Sequence, residues 1–154
     1  MQENETAGGG TLELISFEIA GQEFCIDIRA VREIRGWTAA TPLPHTPRYI
    51  LGVINLRGAI MPVLDLRDRL DLGHTEASSR HVIMVVQDGE RIAGLLVDAV
   101  QDTFVVDEAL MQPPPAVESS TGETFVDAIL PREGGLLSRL VVANLLPVDT
   151  RVAA

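Results

Sequence analysis

The sequence is short of rings, of cysteine and of positive charge, and each shortage closes off a class of protein. Aromatic residues make up 4% of the 154 residues while 46% are hydrophobic, so a core has to be assembled from Val, Ile and Leu. β-branched side chains favour strands. One Trp and one Tyr are too few ring faces to stack a row of bases. Twelve basic residues stand against 22 acidic ones, a net charge of −10, which repels phosphate backbones and anionic lipid instead of attracting them. The one cysteine, Cys25, excludes a disulfide within the chain. Among Phe24, Ile26 and Ile28 it reads as a small buried hydrophobe and not as a nucleophile. No apolar run approaches the roughly 20 residues that span a bilayer. Met1 to Gly10 has neither the basic start nor the apolar stretch of a signal peptide, so the expected location is the cytoplasm, without membrane insertion.

What is present is a succession of short apolar segments punctuated by glycine and proline. Residues 1–10, with Gly8-Gly9-Gly10 among polar neighbours, are expected to be a disordered leader. Apolar and polar residues alternate from Leu12 to Ile19 and again from Phe24 to Ile28, which predicts a hairpin turning around Ala20 to Gln22. Pro42, Pro44 and Pro47 mark an extended loop. Tyr49 to Leu56 and Ile60 to Leu66 follow as strands separated by Arg57-Gly58. Arg67 to Leu72 suits a helical turn, and Gly73 to Arg80 a polar linker. Strands are then expected over His81 to Val86 and Arg91 to Val97 around the Asp88-Gly89 turn signal. Further strands are expected over Val100 to Val106, Phe125 to Leu130 and Leu136 to Leu146, and residues 147–154 form a tail.

The second half repeats the order of the first. The hairpin at Gly21 matches that at Gly89, Val31 matches Val100, both are followed by prolines, and Tyr49 to Ile54 matches Phe125 to Leu130. Two related subdomains are expected within residues 11–146, at about 11–73 and about 80–146. About five strands in each suffice to curl one twisted sheet into a small all-β barrel filled by its own side chains. Strands near the boundary are apolar on both faces, which predicts that the two barrels pack together.

Catalysis requires a constellation of groups, and few candidates are available. His45, His74 and His81 are scattered, with no i, i+4 spacing and no cysteine partner, so they read as exposed surface histidines and no metal is expected. Asp65, Asp98 and Asp127 lie in or beside apolar strands, where capping a turn is the ordinary role. A small enzyme or ligand-binding barrel using Asp65, Asp98 and His45 is the remote alternative. Gly8 to Gly10 and Gly134-Gly135 lack the context of a phosphate loop, and no cofactor is expected. Asn55-Leu56-Arg57-Gly58 stands out as a charged tip between apolar strands. A turn explains Gly58. It leaves Arg57 as a candidate interface anchor, since a planar fork of donors suits carboxylates on a partner.

Val31-Arg32-Glu33-Ile34, then Pro42 and Pro44, then the run from Tyr49 through Gly52 to Asn55-Leu56-Arg57-Gly58, and Pro62 to Leu66 together resemble the CheW family in order and spacing. Val82 to Val86 and Gly94 to Val100 continue the likeness, which covers about Leu12 to Leu146. The resemblance implies two five-stranded SH3-like barrels with short helical segments and no enzymatic activity. It implies an adaptor between methyl-accepting chemoreceptors and the histidine kinase CheA, recruited to membrane receptor arrays. Carried over by position, the receptor surface would hold Val31, Glu33, Asn55, Arg57 and Gly58, and the kinase surface Val97, Val100, Phe104 and Val106. A paralogue serving a type IV pilus or another chemosensory-like pathway is the alternative within the family.

Overall fold

The computed structural model describes residues 10–115 and 124–147. The expected leader, except Gly10, and the tail beyond residue 147 lie outside the described residues. Ten strands dominate. β1 (Thr11–Ile19) and β2 (Gln22–Asp27) form a hairpin, and after a single 3-10 turn come β3 (Val31–Gly36), β4 (Ile50–Leu56) and β5 (Ala59–Asp65). A one-turn helix α1 (Leu66–Arg69) precedes β6 (Val82–Asp88), β7 (Arg91–Val97) and β8 (Ala99–Asp107). The last elements among the described residues are β9 (Val126–Arg132), β10 (Gly135–Leu140) and α2 (Val142–Leu145). No helix among the described residues is long and apolar enough to cross a membrane.

The strands make two five-stranded sheets, one in the order β3-β6-β7-β5-β4 and the other β8-β1-β2-β10-β9. Each curls shut through one extra bridge. Thr41, just beyond β3, exchanges two 2.9 Å backbone hydrogen bonds with Val53 of β4, and Gln112, beyond β8, exchanges two with Ile129 of β9. Gly52 makes the first closure possible. Its φ is +149°, and a Cβ there would lie 2.3 Å from the Thr41 carbonyl oxygen. Inside the same barrel, a Cβ on Gly94 would come within 2.7 Å of Ile83 Cγ2.

The repeat in the sequence is real, but its halves are not the two barrels. β1-β2 of the first half complete the sheet built on β8, β9 and β10, while β6-β7 of the second half complete the sheet built on β3, β4 and β5. Each repeat thus lends its hairpin to the other. One barrel is contiguous in the chain, from β3 to β7, and the other is split around it. A boundary at residues 73–80 follows the repeat and cuts across both sheets.

Three apolar clusters follow from this exchange. Ile54, Leu56, Met61, Val63, Ile83, Val85 and Leu96 fill the contiguous barrel, and Leu14, Cys25, Val106, Leu130 and Leu137 fill the split one. The largest lies between them, with Phe17, Phe24 and Ile26 meeting Leu64, Met84 and Leu95. Strand alternation explains the double-sided apolar pattern of β6: Ile83 and Val85 face the barrel interior, Met84 and Val86 the seam. Arg69 rivets the seam. Its guanidinium lies over Tyr49 at 4.4 Å and Phe125 at 4.9 Å and donates to the carbonyls of Leu145 and Asn144. A continuous seam and a stacked cation joining both barrels make them one body.

Val31–Gly36 is a strand despite its three charged residues, because alternation half-buries Val31, Glu33 and Arg35. Two local expectations are corrected. Val141 to Leu146 is not the end of a strand: the chain leaves β10 at Leu140 and coils into α2, burying Val142 and Leu145. The turn between β6 and β7 is Gly89-Glu90, one residue later than Asp88-Gly89 suggests, with Asp88 paired to Arg91. Gly89 has φ +63°, and positive φ at the first central residue is what a two-residue hairpin of this kind asks of glycine.

Cys25 is fully buried inside the split barrel. Burial pushes its thiol from 9.0 up to about 12, with nearby Arg139 opposing only part of the effect. At neutral pH such a thiol holds on the order of a thousandfold less thiolate than a free one. Labelling of the native protein with a thiol-specific disulfide reagent should therefore be slower than labelling of the unfolded chain by at least about that factor. Comparable rates would mean that Cys25 is accessible and the split barrel open.

Candidate functional site

Arg57-Gly58 is the two-residue turn joining β4 to β5, since Leu56 pairs with Ala59 across it. Both central residues have positive φ, +52° at Arg57 and +89° at Gly58, as the strand twist requires of the tightest hairpins. Asn55 stabilises the turn by accepting the Gly58 N–H at 2.8 Å on its side-chain oxygen. The site thus holds an arginine where glycine or asparagine would be more comfortable. That cost sets Arg57 apart from an incidental surface residue.

Arg57 reaches across to β3. Its guanidinium donates to Glu33 Oε1 at 2.5 Å, while Arg35 approaches Oε2 at 3.5 Å. The hydrogen bond from Arg57 holds the Glu33 carboxyl below the usual carboxylate range. Glu33 therefore gives up its charge at lower pH than a free glutamate does. The Arg57 side chain is 72% exposed, so the pair contributes little to folding and leaves the guanidinium extended toward solvent. Ile60, directly opposite Asn55 across the hairpin, is 60% exposed. Sequence reasoning missed it. The signal was the buried Met61 beside it, which by strand alternation turns Ile60 outward.

Glu33, Asn55, Arg57 and Gly58 thus belong to one face at the tip of the contiguous barrel. Val31 differs: it is half-buried and packs against the seam. The segment beyond β7 needs a larger correction. Val97 is 1% exposed and lies in the seam, and Val106 is inside the split barrel, so neither can present a surface. Val100 is half-buried against the seam, and Phe104 packs on the split-barrel core under the Arg132 guanidinium at 5.3 Å. Alternation sends Val105 outward instead, 66% exposed.

The carboxylates that could have built a catalytic centre are engaged apart from one another. Asp98 accepts the Ala20 N–H at 2.8 Å and faces His81 Nε2 at 3.4 Å, tying the β1-β2 turn to the start of β6. His81 is not the exposed residue expected: its side chain is 15% exposed, and its Nδ1 accepts the Ser78 N–H at 3.1 Å. Asp127 is gripped by both arms of Arg139, at 2.8 and 3.0 Å. Asp65, fully buried, accepts the Thr75 N–H at 2.8 Å and the Thr75 hydroxyl at 2.6 Å. His45 is exposed in the proline loop.

Comparison with known proteins agrees with this architecture. The model of the CheW-like domain matches residues 13–149. The chemotaxis protein CheW of Rhizobium meliloti is 47% identical over 145 residues, covering 94% of both chains. A probable chemotaxis protein CheW of Rhizobium etli is 50% identical over 121 residues, covering 79% of this chain and 78% of the relative. The crystal structure of the scaffolding protein TtCheW from Thermoanaerobacter tengcongensis superposes with a TM-score of 0.81 at 31% identity, covering 94% of this chain and 98% of that one. With its two closed five-stranded sheets, its Asn-Leu-Arg-Gly turn and a family match that spans nearly its whole length, the chain belongs to the CheW family of chemotaxis scaffold proteins.

Proposed function

We propose that this scaffold couples methyl-accepting chemoreceptors to the histidine kinase CheA, recruited to receptor arrays as a non-catalytic adaptor. The observation that carries the reading is Arg57, held in a costly backbone conformation and aimed at solvent by Glu33 beside an exposed isoleucine. A receptor tip is a helical hairpin. Ile60 and the stem of Arg57 would supply apolar contact, Arg57 a charge-assisted hydrogen bond, and Asn55 a polar rim. The kinase's regulatory domain would dock on the split barrel, where Val105 is the exposed large apolar residue of β8 and where Val100 and Phe104 pack inward. Because the seam makes the barrels one body, the angle between receptor and kinase is set by the scaffold and not by a hinge.

Pull-downs with a receptor cytoplasmic fragment and, separately, with the kinase regulatory domain test the reading. Arg57→Ala should weaken receptor binding about thirtyfold, the roughly 2 kcal/mol of a desolvated interface arginine. Its stability should change by less than about 0.5 kcal/mol, as at an exposed site. Arg57→Gly sharpens the contrast. Relief of the positive φ should stabilise the fold by up to about 1 kcal/mol while receptor binding falls as far as in Arg57→Ala. Unchanged receptor binding in both variants would remove the proposed receptor face.

A further inference from the structure

We propose that Asp65, Asp68 and His74 form a site for one divalent cation of the zinc class. The three offer Asp65 Oδ2, Asp68 Oδ2 and His74 Nδ1. The ring nitrogen is 3.4 Å from the first oxygen and 3.2 Å from the second, and the three ligand atoms all lie within 4.8 Å of one another. A tetrahedral zinc with bonds of about 2.0 to 2.2 Å to nitrogen and carboxylate oxygen spaces its ligands about 3.3 to 3.5 Å apart. Both measured edges are close to that length. A single N–H cannot serve two carboxylates equally, whereas an ion at their common focus satisfies all three donors at once. Mixed nitrogen and oxygen donors in this number suit zinc better than calcium or magnesium, which take six or more oxygen ligands.

The fold assembles the trio from residues that their spacing along the chain does not announce. Asp65 ends β5, and Asp68, three residues on, projects from α1. Asp71 at φ +63° and Gly73 at φ +117° then turn the chain back and return His74 to the same place. Thr75 orients the buried ligand: its hydroxyl takes Asp65 Oδ1 and its N–H takes one lone pair of Oδ2, leaving the other for a metal. Asp68 and His74 are partly exposed, so an ion can enter from solvent and keep a water as fourth ligand. Arg48, 3.2 Å from Asp68 Oδ2 and itself largely exposed, would move aside. The expectation of no metal rested on the scatter of the histidines and other candidate polar groups along the chain, with no i, i+4 spacing and no cysteine partner. A bound ion would clasp the β5-β6 connection to α1, the helix that carries Arg69 into the seam.

The alternative occupant of the focus is a proton, with an imidazolium bridging two carboxylates, and the test separates the two. Untagged protein, stripped with EDTA and dialysed, is titrated calorimetrically with zinc chloride, and with cobalt(II) as a spectroscopic probe. One equivalent of zinc should bind, cobalt should develop the intense visible bands of a tetrahedral site, and zinc should raise the melting temperature. His74→Ala and Asp68→Asn should each lose all three responses while keeping the wild-type circular dichroism. His45→Ala should retain them. If either variant fails to fold, His74→Gln, which keeps a polar side chain, takes its place. Absence of saturable zinc binding by the wild type, or binding that survives these substitutions, overturns the proposal.

Discussion

Expressed alone, residues 11–73 should give no cooperatively unfolding monomer. That fragment holds one complete copy of the repeat, yet it contains β1 and β2 of one sheet and β3, β4 and β5 of the other. Neither barrel can close. β2 loses its partner β10 and β5 loses β7, and unpaired strand edges promote association. Residues 30–98 are the informative comparison, because they carry all five strands of the contiguous barrel. They should retain strand circular dichroism and a thermal transition, but self-associate through the stripped seam surface of Leu64, Met84, Leu95 and Val97. Size exclusion and thermal melts at several concentrations decide the matter. A monodisperse, cooperatively folding 11–73 fragment would show that a repeat can close on its own hairpin, and would remove the basis for a rigid two-barrel body.

The second large effect is expected at Gly52. Alanine there would place a Cβ 2.3 Å from the Thr41 carbonyl oxygen and 2.5 Å from its carbon. Those are backbone atoms fixed by the closing bridge to Val53, so they cannot yield as a flexible side-chain tip would. Either the bridge opens or β4 shifts, and the left-handed conformation adds its own penalty. Gly52→Ala should cost on the order of 3 kcal/mol in chemical denaturation, at the upper end for overpacking. Gly58→Ala is the control: its φ is +89°, but a Cβ there has no neighbour within 4 Å, so it should cost only about 1 kcal/mol. Equal losses at the two glycines would mean that the close approach at Thr41 is not what fixes Gly52.

The sequence was legible where a physical signal is local. Glycine turns, alternation in β1 and β2, and the apolar double face of the seam strands are all written in neighbouring residues, and so is the repeat. Parity was the weak point. In Phe104-Val105-Val106 all three side chains are apolar, so period two cannot say which face is inside until pairing with β1 fixes it. The run from Val141 to Leu146 failed for the same reason, since a short apolar stretch fits a strand or a helical turn equally well. The exchange of hairpins was illegible in principle: a hairpin carries no mark of which of two similar partners it completes. Glu33 with Arg57, and His74 with Asp65, meet only after the barrel closes or a left-handed turn reverses the chain.

The exchanged hairpins also set an order of events during synthesis. β1 and β2 leave the ribosome before the other strands, but their partners β8 and β10 both come after the whole contiguous barrel in the chain. The contiguous barrel, from β3 to β7, is complete while the last strands are still being made. It can fold then, and it would offer its half of the seam as a template on which the waiting hairpin docks. The split barrel can close only when β9 and β10 emerge. A chain stalled after residue 98 would therefore display a finished barrel, an orphan hairpin and an exposed apolar wall, the combination of unpaired edge and bare surface that chaperones bind.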